Sequence, residues 1–269
     1  MTPCFDVKGK TVVITGAAGQ LGVSYAHAFL QAGAQVAALD LSNNNSALGE
    51  LSQQHPKQLQ QYAADVTDKA SLQAALQTIV AKQGVPDVLV NNAAIDSPPS
   101  APPEENGPFE DYPEASWDRV LAVNLKGVFL SCQVFGASMA KAGRGAIINI
   151  ASIYGTVSPD QSLYQYRRDR GEVFYKPVAY SASKSGIYNL TRYLATYWGN
   201  QGVRVNTLTL AGVFNHQDEV FLKAYCARIP IGRMAEPADY AGPMLFLASE
   251  ASQYMTGADL VVDGGWTAI

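Results

Sequence analysis

TVVITGAAGQLG, residues 11–22, joins an apolar run of strand length to three glycines at the start of an amphipathic helical stretch. β-branched apolar residues favour a buried strand. Glycines 16, 19 and 22 let the backbone approach a pyrophosphate closely, and the helix N-terminus offers free N–H groups and a favourable dipole. The segment therefore predicts a dinucleotide-binding turn formed by Gly16, Gly19, Gln20, Leu21 and Gly22.

Apolar runs of strand length recur and alternate with longer stretches of helical period. The strand-like runs are 11–15, 35–39, 88–90, 146–150, 203–208 and 259–262. The helical stretches include 21–31, 71–82, 117–141 and 183–198. Near-continuous apolar strands between helices are typical of a parallel sheet covered on both faces. We predict an α/β fold: a single doubly wound (Rossmann) domain over 1–269, with a mostly parallel sheet.

Composition excludes several classes of function. With 48% hydrophobic and 16% charged residues, the 269-residue chain is expected to form a large core. A net charge of −4 provides no electrostatic footprint for nucleic acid. No apolar run approaches the ~18 residues of a membrane span, and the N-terminus lacks the apolar region of a signal peptide. Three widely spaced cysteines fit neither a disulfide framework nor a zinc site, so we expect no metal and a reduced, cytoplasmic setting.

Asp40 ends the second strand-like run, 18 residues after Gly22. A carboxylate at this place can accept both hydroxyls of an adenosine ribose and repels a 2′-phosphate. Ala17, Ala18 and Leu41 offer no cation to bind such a phosphate. The pattern favours NAD over NADP; the alternative is that Asp40 only caps a helix or a turn.

Tyr180 and Lys184 stand four residues apart in the motif YSASK. On a helix they share one face, where an ammonium group favours the phenolate and lowers the pKa of the phenol. Such a tyrosine can exchange a proton with an alcohol or ketone oxygen. The spacing is common, and alone it also fits a pair on the surface.

The order of motifs is more specific. TGxxGxxG from residue 15, NNAA at 91–94, Asn124, Ser152 and YxxxK together resemble the short-chain dehydrogenase/reductase family. The resemblance covers almost the whole chain and ends in YMTG at 254–257 and VDGGW at 262–266. It implies that Tyr180 is the general acid/base, that Lys184 lowers its pKa and holds the nicotinamide ribose, and that Ser152 bonds the substrate oxygen. Asn124 would anchor a proton-relaying water chain.

The same resemblance assigns further cofactor contacts. Asp65 and Val66 would flank the adenine, and the backbone of Asn92 and Ala93 would meet the adenosine ribose. Asn91 is expected to brace the sheet.

The chain departs from the family after the sixth strand. Leu210 and Ala211 stand where Pro-Gly is usual, and Asn215 stands where a threonine often touches the pyrophosphate. Val213 would still offer its backbone to the carboxamide. We expect a looser loop here, with no catalytic group lost.

Two inserted segments interrupt the alternation of strands and helices. The first insertion, 96–113, is rich in proline and acid; the second, 159–177, lies within an unusually long gap of 28 positions between Ser152 and Tyr180. Arg167, Arg168 and Arg170 in the second suggest an anionic or polyhydroxylated substrate. Alternatively, they pair with acids of the first insertion (Asp96, Glu104, Glu105, Glu110 and Asp111) as a charge-paired lid, or the second insertion is only a solvated loop.

SIYG at 152–155, followed by the long insertion, resembles a branch of bacterial sugar-modifying dehydrogenases. This favours an NAD-dependent sugar or polyol dehydrogenase that acts on a small molecule. A reductase of an apolar ketone or acyl substrate is the alternative, and a non-catalytic NAD-sensing protein is a remote one. The long apolar helices predict a homotetramer, or at least a dimer.

Overall fold

Strands and helices alternate along the chain in the computed structural model, which describes residues 3–41, 46–96 and 103–269. The strands are β1 Thr11–Thr15, β2 Gln35–Asp40, β3 Leu59–Ala63, β4 Val88–Asn91, β5 Gly145–Ser152, β6 Val203–Leu210 and β7 Asp259–Val262. The helices are α1 Gln20–Gln31, α2 Ser46–Gln54, α3 Lys69–Gln83, α4 Glu114–Lys141, α5 Gln165–Asp169, α6 Val178–Trp198, α7 Glu219–Cys226 and α8 Ala241–Ala248.

The seven strands form one sheet in the order β3-β2-β1-β4-β5-β6-β7, and every pairing is parallel. Helices α1, α2 and α8 cover one face, and α3, α4 and α6 cover the other. The strand order reverses between β1 and β4, and ligands of such sheets bind at the carboxyl ends beside this switch point. The predicted α/β fold is confirmed.

The strand β3 was not predicted from the sequence. It lies at the edge of the sheet and has the sequence LQQYA. The other six strands are recognised as apolar runs, and this sequence is too polar to form one.

The helix α4 includes two π-helical stretches, Ala122–Lys126 and Cys132–Gly136. By length and apolar composition alone this helix could cross a membrane, which differs from the expectation drawn from the sequence. More than half of its apolar window is buried inside the fold, as in a core helix.

The second insertion is folded. Leu163, Tyr164 and Phe174 are buried with Phe221 and Tyr225 in a small core of their own. The rings of Tyr164 and Phe174 lie 4.9 Å apart, and those of Tyr164 and Phe221 5.6 Å apart. The alternative of a solvated loop is therefore wrong.

Candidate active site

The turn between β1 and α1 packs closely against the loop that follows β4. Gly16 has a φ of +63°, and a Cβ atom there would lie 2.7 Å from the Cα atom of Ala93. A Cβ atom on Gly22 would lie 2.3 Å from the Gly16 carbonyl oxygen. Both positions therefore require glycine. Among the described residues no side chain caps α1 at Gly19, so the N–H groups of its first turn are available to an anion.

Asp40 is tied to this turn. Its Oδ2 accepts a hydrogen bond from the Ala18 N–H at 2.9 Å, and its Oδ1 accepts one from the Leu41 N–H at 2.8 Å. Each oxygen retains a lone pair for a further donor. A carboxylate held in this way can accept ribose hydroxyls, and its charge disfavours a phosphate. The turn and Asp40 thus fit a dinucleotide cofactor.

Asn92 connects the glycine turn to the loop after β4. Its side-chain amide donates to the carbonyl oxygens of Thr15 at 3.1 Å and Gly16 at 2.9 Å. The backbone N–H groups of Asn92 and Ala93 both donate to the Thr15 Oγ1 at 3.1 Å. The N–H groups of Asn92 and Ala93 are therefore already engaged within the protein. The predicted backbone contacts of these two residues with a ribose would use their carbonyl oxygens.

Asp65 and Val66 follow β3 at the same edge of the sheet as Asp40. The Ala64 N–H donates to the Asp40 carbonyl oxygen at 2.8 Å, which brings the two strand ends together. The Asp65 Oδ1 accepts hydrogen bonds from the Thr67 N–H and Oγ1 at 2.8 and 2.7 Å. Their contact with an adenine stays a prediction.

The loop after β6 is held by two buried tyrosines. The Tyr225 hydroxyl accepts a hydrogen bond from the Gly212 N–H at 2.8 Å, and the Tyr240 hydroxyl donates to the Ala211 carbonyl oxygen at 3.2 Å. Leu210 and Ala211 are themselves buried. These contacts hold the loop at Ala211 and Gly212 and argue against the loosening expected from the missing Pro-Gly, which stays a prediction.

The next turn of this loop carries Val213 and Asn215, which both line a cavity of about 700 Å³. The Gln217 side chain accepts from the Asn215 N–H and donates to the Val213 carbonyl oxygen, both at 2.8 Å. Gln20 donates from α1 to the Phe214 carbonyl oxygen at 2.8 Å. The start of α1 and this loop therefore hold each other in place.

Ser152, Tyr180 and Lys184 line the same cavity. Ser152 ends β5, whereas the other two lie one turn apart on α6. The two elements meet at Gly155, where a Cβ atom would lie 2.8 Å from both the Lys184 carbonyl carbon and the Tyr188 ring. The Tyr188 hydroxyl also donates to the Ser152 carbonyl oxygen at 3.0 Å. Absence of a side chain at Gly155 thus sets the distance between the serine and the tyrosine.

Burial is the largest influence on the pKa values of Lys184 and Tyr180. It lowers the pKa of Lys184 to about 8, and the ammonium group donates to the Ile150 carbonyl oxygen at 2.9 Å. Burial raises the pKa of Tyr180 above its ordinary value of 10.0, the Asp96 carboxylate raises it further, and a hydrogen bond with Ser152 opposes both. The Lys184 ammonium lies 5.8 Å from the Tyr180 ring centre. The expected lowering of the tyrosine pKa by Lys184 is thus corrected: desolvation outweighs it.

Asn124 is fully buried in the first π-helical stretch of α4. Its Oδ1 accepts from the Ile95 N–H at 2.8 Å, and its Nδ2 donates to the Ile95 carbonyl oxygen at 2.8 Å and to the Ser183 Oγ at 3.1 Å. Both amide hydrogens are therefore used within the protein, bracing α6 next to Lys184. Its part in a water chain stays a prediction.

Asn91 braces the sheet, as predicted. It is buried, and its Nδ2 donates to the Asn149 Oδ1 on the neighbouring strand at 2.8 Å.

Ser152, Tyr180 and Lys184 line one cavity of about 700 Å³. Its wall also includes Leu21 at the start of α1 and Asn92 in the loop after β4, whereas Gly16, Gly19 and Gly22 do not line it. The start of α1 and the three side chains therefore face one space. Within residues 3–41, 46–96 and 103–269, no group of three His, Cys, Asp or Glu side chains is placed to hold a metal ion.

The second insertion forms part of the cavity wall. Arg167 and Arg170 line the cavity, but Arg168 does not. The Arg168 guanidinium donates to the carbonyl oxygens of Phe174 and Gln161, both at 2.8 Å, so it holds the insertion together instead.

The insertions meet at an ion pair between Lys176 and Asp96. Among the described residues this is the ion pair that joins the two insertions, and it uses a lysine. The expected pairing of the arginines with acids of the first insertion is therefore wrong. The arginines pair elsewhere, and Glu105 of the first insertion pairs with Arg119 of α4. Residues 97–102 of the first insertion lie outside the described part of the chain.

Sequence reasoning missed one segment of the cavity wall. His216, Asp218 and Phe221 line the cavity between β6 and α7. The available signal was Asp218, which accepts a hydrogen bond from the Val220 N–H at 2.8 Å and caps α7. An acid before an apolar helical run predicts a helix start, but it does not place that start beside the substrate.

Comparison with known proteins finds relatives that match almost the whole chain. A family model described as enoyl-(acyl carrier protein) reductase matches residues 16–267. D-threitol dehydrogenase from Mycolicibacterium smegmatis is 38% identical, over 98% of this chain and 95% of its own. NAD-dependent glycerol dehydrogenase from Listeria innocua is 31% identical, over 98% of this chain and 96% of its own.

Among solved structures, a gluconate 5-dehydrogenase from Burkholderia cenocepacia, in complex with NADP and tartrate, superimposes with a TM-score of 0.85. The two sequences are 27% identical, and the match covers 99% of this chain and 98% of the other.

Proposed function

The chain belongs to the short-chain dehydrogenase/reductase family, and we propose that it uses NAD to interconvert a secondary alcohol and a ketone in a sugar, polyol or similar polar hydroxy compound. The observation that carries this proposal is the shared cavity: Ser152, Tyr180 and Lys184 open into the same space as the start of α1. A cofactor and an alcohol bound there lie side by side.

The roles follow from the chemistry of each side chain. The nicotinamide, when bound, accepts or returns the hydride. The Ser152 hydroxyl donates a hydrogen bond to the substrate oxygen, and the Tyr180 phenol takes up or gives its proton. Lys184 holds the nicotinamide ribose and supports the phenolate with its charge. Asn124 fixes α6 and carries the water chain that takes the proton to solvent.

The cofactor residues act at the carboxyl edge of the sheet. The first turn of α1 receives the pyrophosphate, and Asp40 accepts the hydroxyls of the adenosine ribose, which favours NAD over NADP. The proposed cofactor set is Gly16, Gly19, Gln20, Leu21, Gly22, Asp40, Asp65, Val66, Asn92, Ala93, Tyr180, Lys184, Val213 and Asn215.

The polar wall supports a polar substrate. Charged side chains from the second insertion and from the N-terminus of α7 line the cavity. The relatives named D-threitol dehydrogenase and NAD-dependent glycerol dehydrogenase each match 98% of this chain. The description of the matching family model keeps reduction of an acyl substrate as the second candidate. Such a substrate needs an apolar channel, which a wall of paired charges disfavours.

A spectrophotometric screen tests the proposal. The protein is incubated with NAD or NADP and either C3–C6 polyols and sugars or apolar secondary alcohols, and reduced cofactor is followed by absorbance. We expect turnover with NAD and a polyol. Turnover confined to apolar alcohols or acyl ketones would favour the second candidate.

We further propose that one domain carries both sites and assembles as a homotetramer, or at least a dimer. Phe129 on α4 and Tyr193 and Tyr197 on α6 are exposed, and the two tyrosine rings stack at 6.0 Å. Apolar surface on neighbouring long helices is normally buried against a symmetry mate. Cys4, Cys132 and Cys226 are all unpaired, which supports a cytoplasmic location.

A further inference from the structure

Three cation–carboxylate pairs line the cavity. Each cation that the second insertion contributes to the wall is paired with a carboxylate that also lines the cavity. The pairs are Arg167 with Glu172, Arg170 with Asp218, and Lys176 with Asp96. The first two have donor–acceptor distances of 2.6 and 2.8 Å.

These pairs remove the attraction that an anionic substrate needs. A guanidinium or ammonium group paired with a carboxylate forms a nearly neutral unit, so its net attraction for a substrate carboxylate is weak. Lys184, the remaining ammonium group of the cavity, is buried and bonded to the Ile150 carbonyl oxygen. The wall is thus rich in hydrogen-bonding groups but carries almost no net charge.

The third pair lies closest to the chemistry. The Lys176 ammonium is 5.2 Å from the Tyr180 ring centre, and only 12% of its side chain is exposed. Asp96 is exposed to the cavity, which it lines together with Tyr180, and its charge raises the pKa of the Tyr180 phenol. An ionised carboxylate only accepts hydrogen bonds. Its natural partners next to a reacting alcohol are therefore further hydroxyl groups of the same molecule.

We infer that Asp96 is a specificity-determining residue: it accepts hydrogen bonds from substrate hydroxyls near the reacting carbon and, with Lys176 neutralised, makes the site select uncharged polyols over sugar acids. The inference rests on the proposed function. It differs from the expectation drawn from the arginines, which left an anionic substrate open.

The test compares each polyol with the aldonate of the same configuration: threitol with threonate, and xylitol with xylonate. The wild-type protein should prefer the polyol in kcat/KM. Asp96→Asn removes the negative charge, leaves only a neutral amide oxygen as acceptor and weakens the hold on the Lys176 ammonium. It should therefore narrow the polyol-to-aldonate ratio about ten- to hundredfold, the range of one charge-assisted hydrogen bond. Lys176→Met should widen the ratio, since the unpaired carboxylate then repels the acid.

Asp160→Asn is the matched control. Asp160 lies in the same insertion as Lys176 and pairs with Arg228, which follows α7. Neither residue lines the cavity, so this variant should keep the wild-type ratio. Circular dichroism and titration with NADH show whether each variant is folded and binds cofactor. If Asp96→Asn does not fold, Lys176→Met alone carries the test.

The outcomes separate the inference from the proposed function. A wild-type preference for aldonates, or equal ratios in the Asp96, Lys176 and Asp160 variants, overturns the inference while polyol oxidation stands. Failure of NAD-dependent turnover with every polyol and aldonate overturns the proposed function, and the inference with it.

Discussion

Gly155 and Lys184 approach so closely that a Cβ atom on Gly155 would lie 2.8 Å from the Lys184 carbonyl carbon and 2.9 Å from its carbonyl oxygen. This contact joins the turn after β5, which carries Ser152, to the helix that carries Tyr180. Backbone atoms of a long helix cannot yield as a side-chain tip can, so the contact sets the geometry of the catalytic group.

Gly155→Ala should therefore push α6 away from β5. We expect a destabilisation of about 1–3 kcal/mol from overpacking. Because small displacements of reacting groups are costly, kcat should fall about tenfold or more. Gly49→Ala, at an open position inside α2, is the control and should leave both quantities unchanged or slightly improve stability. Denaturant unfolding and steady-state kinetics check both variants; equal behaviour of the two would contradict the account.

Asp40→Ala should weaken the choice of cofactor. Removal of the carboxylate takes away an acceptor for ribose hydroxyls and a repulsive charge against a 2′-phosphate. The wild-type protein should have a higher kcat/KM with NAD than with NADP, and the variant should narrow that gap by about tenfold or more. The kcat/KM values for both cofactors with one polyol give the answer. A wild-type preference for NADP would refute the role given to Asp40.

The cofactor edge could be predicted from sequence because its signals are local. The glycines, Asp40 and the YxxxK pair are defined by spacing within single turns or helices. The strand β3 could not be predicted from sequence, because a polar strand at the edge of the sheet lacks the apolar pattern. The Asp96–Lys176 pair could not be predicted either, because the two positions lie 80 apart in the sequence. The same holds for the side-chain core of the second insertion, because it depends on contacts with α7.

The direction in which the pKa of Tyr180 shifts could not be predicted from the sequence spacing either. The four-residue interval places the ammonium on the same face as the phenol, which argues for a lowered pKa. It contains nothing about burial, and burial reverses the direction.

Alcohol oxidation should become faster as the pH rises. The reaction requires Tyr180 to accept a proton, and burial holds its pKa above 10.0, so kcat/KM for oxidation should increase from neutral pH upwards, whereas ketone reduction should slow. Above about pH 8 Lys184 loses its charge and with it the support that it gives the phenolate, so the rise should become less steep there. Within the described part of the chain, the charged and titratable groups that act on or lie beside this phenol are Asp96, Tyr154, Lys176, Lys184, Tyr188 and Tyr225.

Asp96→Asn should move the rising limb of oxidation to lower pH. The carboxylate raises the pKa of Tyr180, so its removal lowers that pKa, and the unpaired Lys176 ammonium acts in the same direction. The measurement is kcat/KM for polyol oxidation from pH 6 to 10.5, with Asp160→Asn as control. A limb that does not move, or moves to higher pH, would contradict the placement of Asp96 beside the phenol.

Light scattering should give the mass of an assembly larger than the 28.7 kDa chain. We expect a tetramer, or at least a dimer, at micromolar concentration. Tyr193→Glu combined with Tyr197→Glu places charge on the exposed apolar face of α6 and should shift the protein towards smaller species. A wild-type monomer would count against the assembly proposed above.

Tyr180→Phe tests the central claim most directly, because it removes one hydroxyl group and leaves the ring in place. With NAD and the best polyol of the screen, kcat should fall ~100-fold or more, since the general acid/base is lost. The affinity for NADH, followed by fluorescence titration, should stay within a few-fold of wild type. Polyol turnover within a few-fold of the wild-type rate would contradict the assignment of Tyr180 and the mechanism built on it.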